Sequence, residues 1–167
     1  MYGRIFCKSL GLLISLGLAS ATVGQTAGQA GPISIKAVAE VELRTTVQGH
    51  ETTKLMPADR VVSGDWVIYT LEVRNTGSAT APAPTVTYPI PTHMVYVADS
   101  AVGPGIEVSY SVDSGRSFDI PEKLRVQDAN GQLRPAAPAD YTHIRWQLKN
   151  GLKGNSVAFV RFRAQVK

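Results

Sequence analysis

Two long segments near the ends of the chain alternate between apolar and polar residues, and this period of two constrains the fold more than any other feature. Over residues 33–47 the odd positions are mainly apolar and the even positions mainly polar. Over residues 157–166 the even positions are apolar and most of the odd ones are polar. Side chains point alternately to the two faces of a β-strand. The first segment therefore predicts one long strand, or two strands joined by a bend, with one buried face, and the second predicts a strand with one face in the core.

The segment between these two predicts further strands. Residues 66–74, WVIYTLEVR, are rich in β-branched and aromatic side chains and end at an Asn-Thr-Gly turn, which is typical of a strand closed by a turn. Other short apolar runs cover 85–88, 94–97, 106–112, 123–126 and 142–148. Turn sequences separate several of these runs, and no helical spacing persists over ten residues without proline or glycine.

This pattern predicts an all-β fold, an antiparallel β-sandwich of about seven to nine strands. Trp66 and Trp146 lie within predicted strands. Because large aromatic side chains fill much volume, we expect both to pack between the sheets, with a ligand-stacking role as the alternative.

The first residues predict export. Arg4 and Lys8 precede the apolar run LGLLISLGLA at 10–19, which is too short to span a bilayer. Small residues at Ala19 and Ala21 form a cleavage signal, with later cleavage near Ala30 as the alternative. We therefore expect a signal peptide over 1–21, a flexible mature N-terminus over 22–31 and one β-sandwich domain over 32–167. The exported protein would be periplasmic or extracellular, without a transmembrane segment.

Cysteine and charge exclude several classes of protein. The single cysteine, Cys7, lies in the predicted signal, so the exported chain has no disulfide and no thiolate site. Without Arg4 and Lys8 the exported chain has 15 basic and 13 acidic residues. That balance, without a concentrated basic stripe, argues against nucleic-acid binding. The residues suggest no cofactor.

An ordered set of residues resembles a known bacterial family. The set begins with Gly-Asp before a strand with a central tyrosine, continues with Asn-x-Gly, and ends with a proline and a Tyr-Val strand; its members are Gly64, Asp65, Tyr69, Asn75, Gly77, Pro91, Tyr96 and Val97. The segment IRWQL at 144–148, then Gly154 and the final alternating strand extend the match. In these positions the chain resembles the bacterial conserved-repeat domain known as domain of unknown function number eleven.

The resemblance covers most of the chain from about Leu55 onward. It departs at Tyr88, where the family usually has an aspartate, and at an insertion around residues 103–140. It implies an immunoglobulin-like sandwich of exported or surface-attached bacterial proteins, and it brings no catalytic residues.

The stretch SVDSGRSF, residues 111–118, matches the Asp-box pattern S-x-D-x-G-x-S-F of bacterial sialidases. In such a turn the aspartate accepts bonds from backbone N–H groups and the glycine takes a conformation that other residues resist. We therefore interpret Asp113, Gly115 and Phe118 as a structural turn, and Asn75 and Gly77 as a second one. A serine-protease interpretation of Asp113-Ser114-Gly115 lacks support, since no histidine accompanies it in the sequence; the three histidines, His50, His93 and His143, lie in unrelated segments.

Other candidate sites have simpler explanations. His50-Glu51 lacks the second histidine of a zinc protease, because residue 54 is Lys54. Asp128, Asn130 and Gly131 resemble the start of a calcium loop, but an Asn-Gly hairpin turn explains them better. Two glycan-related alternatives remain open. A hydrolase would pair carboxylates among Asp99, Glu107, Asp113 and Glu122, and a carbohydrate-binding module would expose tyrosines among Tyr88, Tyr96, Tyr110 and Tyr141.

Basic residues on the polar faces of the last two strands suggest a binding strip. Its members are Arg145 and Lys149 on one strand, with His143, and Arg161 and Arg163 on the other, with Lys167. If the two strands pair, these cations and Phe159 would form one surface for an anionic glycan or lipid headgroup. The alternative is a solvated face whose charges protect a sheet edge.

The sequence as a whole predicts a non-catalytic exported module with a structural or binding role in the bacterial cell envelope. Its partner would be an envelope protein or a glycan whose identity the sequence does not give. Such a sandwich binds through end loops or by adding a strand at a sheet edge.

Overall fold

The computed structural model describes residues 32–47 and 50–167. The predicted signal peptide and the predicted flexible segment 22–31 lie outside the described residues. The all-β prediction is confirmed, since the described elements are strands and two short 3₁₀ turns at Pro121–Lys123 and Pro138–Asp140. In chain order the strands are β1 (Ile33–Val47), β2 (His50–Pro57), β3 (Trp66–Asn75), β4 (Thr85–Pro89), β5 (Met94–Tyr96), β6 (Ile106–Ser111), β7 (Arg125–Gln127), β8 (Leu133–Pro135), β9 (His143–Leu148) and β10 (Val157–Val166).

The described strands form three antiparallel sheets. The five-stranded sheet has the order β2-β1-β3-β10-β5, and the three-stranded sheet has the order β4-β9-β6. Strands β7 and β8 form a separate two-stranded hairpin. Ten described strands exceed the seven to nine predicted, and the runs recognised in the sequence do not include β2 and β8.

The core lies between the five-stranded and three-stranded sheets. Strand register places Leu71 opposite Val160 and Tyr69 opposite Phe162 on the inner face of the larger sheet. Trp146, from the middle of the smaller sheet, is fully buried and its ring centroid is 6.0 Å from that of Phe162. The prediction that Trp146 packs between the sheets is therefore confirmed.

The same prediction is wrong for Trp66, whose side chain is 42% exposed. The next residue, Val67, is fully buried on the inner face. Because adjacent side chains of a strand point to opposite faces, Trp66 faces outward. It lies opposite Gln165 in β10 on the outer face of the five-stranded sheet.

The predicted buried face of β1 is only partly buried. Its odd positions share the inner face with β3, because Ile35 pairs with Val73 and Ala39 with Tyr69. Val73 is fully buried, whereas Ile35 is 45% exposed. The five-stranded sheet is wider than its partner, and this part of β1 lies beyond the cover of the smaller sheet.

Within the described part of the chain, no helix has the length and apolar character needed to cross a membrane.

Candidate functional site

The Asp113 carboxylate is the centre of a dense turn. It accepts hydrogen bonds from the backbone N–H of Arg116 at 3.1 Å and from both the N–H and the hydroxyl of Ser117, at 3.0 and 2.6 Å. The Ser111 hydroxyl donates a further bond to it at 2.7 Å. These bonds, led by that of the Ser117 hydroxyl, hold the pKa of Asp113 well below its usual range.

The rest of this turn closes a hairpin. Gly115 has a φ of +82° and donates its N–H to the buried Ser111 hydroxyl at 2.9 Å. Two backbone bonds then join Tyr110 and Asp119, at 2.9 and 3.1 Å. Phe118 lies under the guanidinium of Arg145, whose central carbon is 3.5 Å from the ring centroid. The Asp-box residues thus shape and anchor a loop, as a structural turn requires.

The structure brings one histidine to this loop, although the sequence places it in an unrelated segment. A Cβ built on Gly115 would lie 3.3 Å from the His143 ring. The ring Nδ1 lies 3.2 Å from the Thr142 hydroxyl, and that same hydroxyl accepts the N–H of Ser114 at 3.1 Å. Among the described residues no hydrogen bond joins the Ser114 hydroxyl to His143, so the nucleophile–base pair of a serine protease is not formed.

Asn75 fixes a second turn from a fully buried position. Its Nδ2 donates to the carbonyl oxygens of Ala79 at 2.8 Å and Leu152 at 2.9 Å, and its Oδ1 accepts the N–H of Gly77 at 3.0 Å. Two loops distant in sequence are thereby held together. Gly154 packs directly against the first of these loops, because a Cβ there would lie 2.0 Å from the Ser78 carbonyl oxygen.

The predicted basic strip is not formed. Strands β9 and β10 belong to different sheets and do not pair, so the condition for the strip fails. Arg145 and Lys149 lie on the side of the smaller sheet, with Lys149 3.2 Å from Glu107. Arg161 and Arg163 face outward from the larger sheet, where Arg163 pairs with Glu42 at 2.9 Å. The four cations therefore occupy opposite sides of the sandwich.

The four candidate tyrosines do not form an exposed row. Tyr96, Tyr110 and Tyr141 are buried and cluster together, with the rings of Tyr110 and Tyr141 stacked at 4.6 Å between centroids. Tyr88 is half-buried, and its ring lies 6.0 Å from that of Tyr69. These four rings therefore do not form the exposed aromatic row that a carbohydrate-binding module would use.

Sequence reasoning missed a surface on the outer face of the larger sheet. Glu42, Gly64, Asp65 and Trp66 line a groove of about 410 Å³ there. Val38 in β1 and Leu55 in β2 are 44% and 41% exposed, and Leu55 lies opposite Glu42 in register. We call Val38, Leu55, Trp66 and their neighbour Ile68 the Trp66 face.

Ile68 shows that this face is already partly covered by its own side chains. It points outward, opposite Glu40 and Arg163, yet it is only 3% exposed. The Glu42–Arg163 ion pair adjoins it. The surface therefore combines exposed apolar side chains with an ion pair that lies among them.

Within residues 32–47 and 50–167, no three histidine, cysteine or acidic side chains come together as a metal site. The Asp128 segment forms a hairpin turn instead, in which its Oδ1 accepts the N–H groups of Asn130 and Gln132 at 2.9 and 2.8 Å.

Comparison of the chain with family models, with curated proteins and with solved structures finds no match. The resemblance to the conserved-repeat family therefore stays a prediction from the residues named above.

Proposed function

We propose that this chain is a non-catalytic binding module, exported to the bacterial envelope, that holds a partner protein on the Trp66 face. The observation that carries the proposal is the 42% exposure of Trp66 on the same face of the sheet as exposed Val38 and Leu55. Large apolar side chains gathered on one exposed face are typical of an interaction site. The signal-like segment 1–21 supports export, and the family resemblance supports a role in the envelope.

The composition of the Trp66 face suits a protein partner. Tryptophan and arginine are the residues that most often dominate binding energy at interfaces, and they lie near the centre of the contact. Trp66 is exposed on this face, and Arg163 is held in place by Glu42. A partner that covers Trp66 would also exclude water from this ion pair. Removing either charge would then leave the other one buried and unpaired, which is strongly unfavourable.

The test compares capture by the wild-type exported chain with capture by Trp66→Ser. We expect a partner taken from an envelope extract to be lost with this variant, and the purified partner to bind it at least about thirtyfold more weakly, since a central hot spot contributes about 2 kcal/mol or more. Leu133→Ser is the matched control, because Leu133 is 71% exposed in the separate hairpin. A partner held equally by wild type and Trp66→Ser would refute the proposal.

A second candidate, glycan binding, is favoured by a groove of about 400 Å³ on the outer side of the smaller sheet. Register aligns polar side chains in two rows across three strands, one through Gln147 and the other through Arg145. Phe118 forms an aromatic wall against Arg145. In such a groove the aromatic ring can stack on a sugar ring, and the polar side chains around it can orient the sugar by hydrogen bonds.

This groove also has two carboxylates, Glu107 and Asp119. Each is already engaged by a lysine ammonium, Lys149 at 3.2 Å and Lys123 at 3.6 Å. A glycoside hydrolase needs one carboxyl group free to donate a proton, so the arrangement favours binding over hydrolysis. Affinity electrophoresis in soluble glycans distinguishes the candidates: glycan binding predicts retardation that Arg145→Ala removes and Arg161→Ala keeps.

A further inference from the structure

A second pocket, separate from the Trp66 face, lies at the end of the sandwich where the two 3₁₀ turns meet β5. Three tyrosine rings line it, those of Tyr96, Tyr110 and Tyr141, in a volume of about 190 Å³. Pro121 and Pro138, one from each 3₁₀ turn, complete its apolar wall. Tyr96 lies on the inner side of the larger sheet, whereas Trp66 lies on the outer side, so the two surfaces can be tested independently.

Three of the seven residues that line this pocket belong to the insertion that departs from the conserved-repeat pattern. Tyr110, Pro121 and Pro138 all belong to residues 103–140, and Tyr141 follows directly. The ring pairs are tilted or stacked, with centroids 5.2 Å apart for Tyr96 and Tyr110 and 5.9 Å apart for Tyr96 and Tyr141. The inserted segment thus supplies aromatic surface to a cavity as well as covering this end of the core.

The hydroxyl groups of the pocket are not fully used within the protein. The Tyr96 and Tyr110 oxygens are 2.9 Å apart, and the N–H of Ala101 donates to the Tyr96 oxygen at 3.1 Å. One of the two hydroxyl protons lies between the oxygens, and no described residue accepts the other. Burial, together with the Tyr96 hydrogen bond, raises the pKa of Tyr110 far above its usual range.

One carboxylate lines the pocket, and two others are sequence neighbours of lining residues. Asp99 lines it from an exposed position with φ of +58°, and Glu122 follows directly after Pro121. Burial raises the pKa of Tyr141, and the neighbouring Tyr96, Glu122, Asp140 and Asp99 raise it further. Asp140 is paired with Arg134 at 2.6 Å, whereas Asp99 and Glu122 have no ion pair among the described residues.

We infer that this pocket binds a small organic cation that carries a quaternary or tertiary ammonium group. The faces of aromatic rings carry negative charge density, and cages of such rings with a nearby carboxylate recognise methylated ammonium groups. The three rings supply the aromatic surface, and Asp99 supplies an unpaired negative charge at the rim. The free hydroxyl proton of the Tyr96–Tyr110 pair can donate to an oxygen elsewhere in the ligand.

The test is titration of the exported chain with choline, followed by calorimetry and by NMR signals of the tyrosine rings. The control ligand is 3,3-dimethylbutan-1-ol, which has the shape of choline but no charge. We expect saturable choline binding with shifts at Tyr110 and Tyr141, and at least about tenfold weaker binding of the neutral alcohol, which lacks the attraction to both rings and carboxylate. Equal binding of the two ligands, or no choline binding up to about 10 mM, overturns the inference.

Asp99→Asn is the variant that tests the carboxylate without disturbing the fold, because asparagine accepts the left-handed conformation as readily as aspartate. We expect it to weaken choline binding about two- to fivefold. Asp59→Asn is the matched control, because Asp59 is exposed in the loop after β2, at the opposite edge of the sheet from β5. Equal affinity of Asp99→Asn and the control for choline would refute the role of Asp99.

A free cation and a lipid headgroup share this chemistry, and a sedimentation assay separates them. Vesicles of phosphatidylcholine and of phosphatidylglycerol are spun with the protein. Sedimentation with phosphatidylcholine alone, competed by choline, assigns a headgroup; choline binding without sedimentation assigns a free cation. Sedimentation with phosphatidylglycerol alone contradicts the pocket as the membrane contact.

Discussion

Asn75→Ala tests whether one buried amide holds the two crossing loops together. The substitution removes three hydrogen bonds, to Leu152, Ala79 and Gly77. The bond to the Leu152 carbonyl is buried, but that carbonyl keeps the N–H of Ala81 as a second donor at 2.9 Å, so losing the Asn75 bond costs about 0.5–1.5 kcal/mol. The other two are part-buried, and each contributes about 0.5–1.5 kcal/mol. Because the loops can relax and admit water, we expect a loss of about 2–4 kcal/mol in the free energy of unfolding.

Equilibrium unfolding in urea, followed by the fluorescence of buried Trp146, measures this loss. The midpoint should fall while the slope m stays unchanged, because the substitution alters few contacts of the unfolded chain. Asn130→Ala is the matched control, since the Asn130 side chain is exposed at the tip of the β7–β8 hairpin, and it should change stability by less than about 0.5 kcal/mol. A loss for Asn75→Ala no larger than that of the control would refute the reasoning.

Asn75→Asp sharpens the test because it keeps the acceptor for Gly77 and changes only the donor. Its carboxylate would face two carbonyl oxygens in a buried site, which raises the pKa of that group in the folded state. A raised folded pKa favours the protonated form, so the stability of this variant is present at acid pH and lost as pH rises. We expect Asn75→Asp to match or exceed the loss of Asn75→Ala at pH 7 and to recover as pH falls toward 4. A pH-independent difference from wild type would contradict the assigned bonds.

Three further predictions address other parts of the fold. Asp113→Asn should destabilise the protein at neutral pH. Because folding lowers the pKa of Asp113, its carboxylate contributes stability that is fully present above the ordinary pKa of 3.8 and is lost as pH falls below it, so the difference from wild type should shrink in acid. Urea unfolding at several pH values measures this difference, and a constant difference would contradict the role of the carboxylate. Gly154→Ala should cost about 1–3 kcal/mol or more, because its Cβ would meet the Ser78 carbonyl oxygen at 2.0 Å, whereas Gly131→Asn, at an open position with φ of +79°, should be nearly neutral in the same thermal unfolding assay. Arg145→Ala should lower stability by about 0.5–1 kcal/mol through loss of the contact with Phe118, while a fully neutral effect would mean that the stacked pair does not stabilise the loop.

Most of the strands that the sequence predicts have one buried face; β1 is the exception, since its alternation predicts it although Ile35 and Val38 are 45% and 44% exposed. Strand β10 was recognised because Val160, Phe162 and Ala164 are fully buried and alternate with outward residues. The sequences of strands β2 and β8 do not show such an alternation. The side chains of residues 52–57 are exposed on both faces, and all three residues of β8 are exposed, so burial imposes no alternation on their sequences. Periodicity therefore predicts core strands and misses strands at the margins of a fold.

Trp66 shows how residue type can mislead where alternation is informative. Large aromatic residues are usually core residues, and this led to the prediction that Trp66 packs inside. The inward set of β3 is Val67, Tyr69, Leu71 and Val73, all buried. Once these odd positions are taken as the inner face, Trp66 must point outward. The alternation in β3 therefore predicts an exposed Trp66. Alternation is the stronger argument, because it follows from strand geometry, whereas the burial of tryptophan is only an average preference.

Local sequence patterns do not predict which distant segments come together to form a site. The basic strip required β9 to pair with β10, yet the two strands belong to different sheets. Alternation therefore identified the polar face of each strand correctly, but the prediction that the two faces form one surface was wrong. The converse holds for the tyrosine pocket. Tyr96, Tyr110 and Tyr141 come from three separate elements, and nothing local to any of them predicts that the rings converge. A binding surface assembled in this way depends on the order of the strands in the sheets, which no single segment of the sequence specifies.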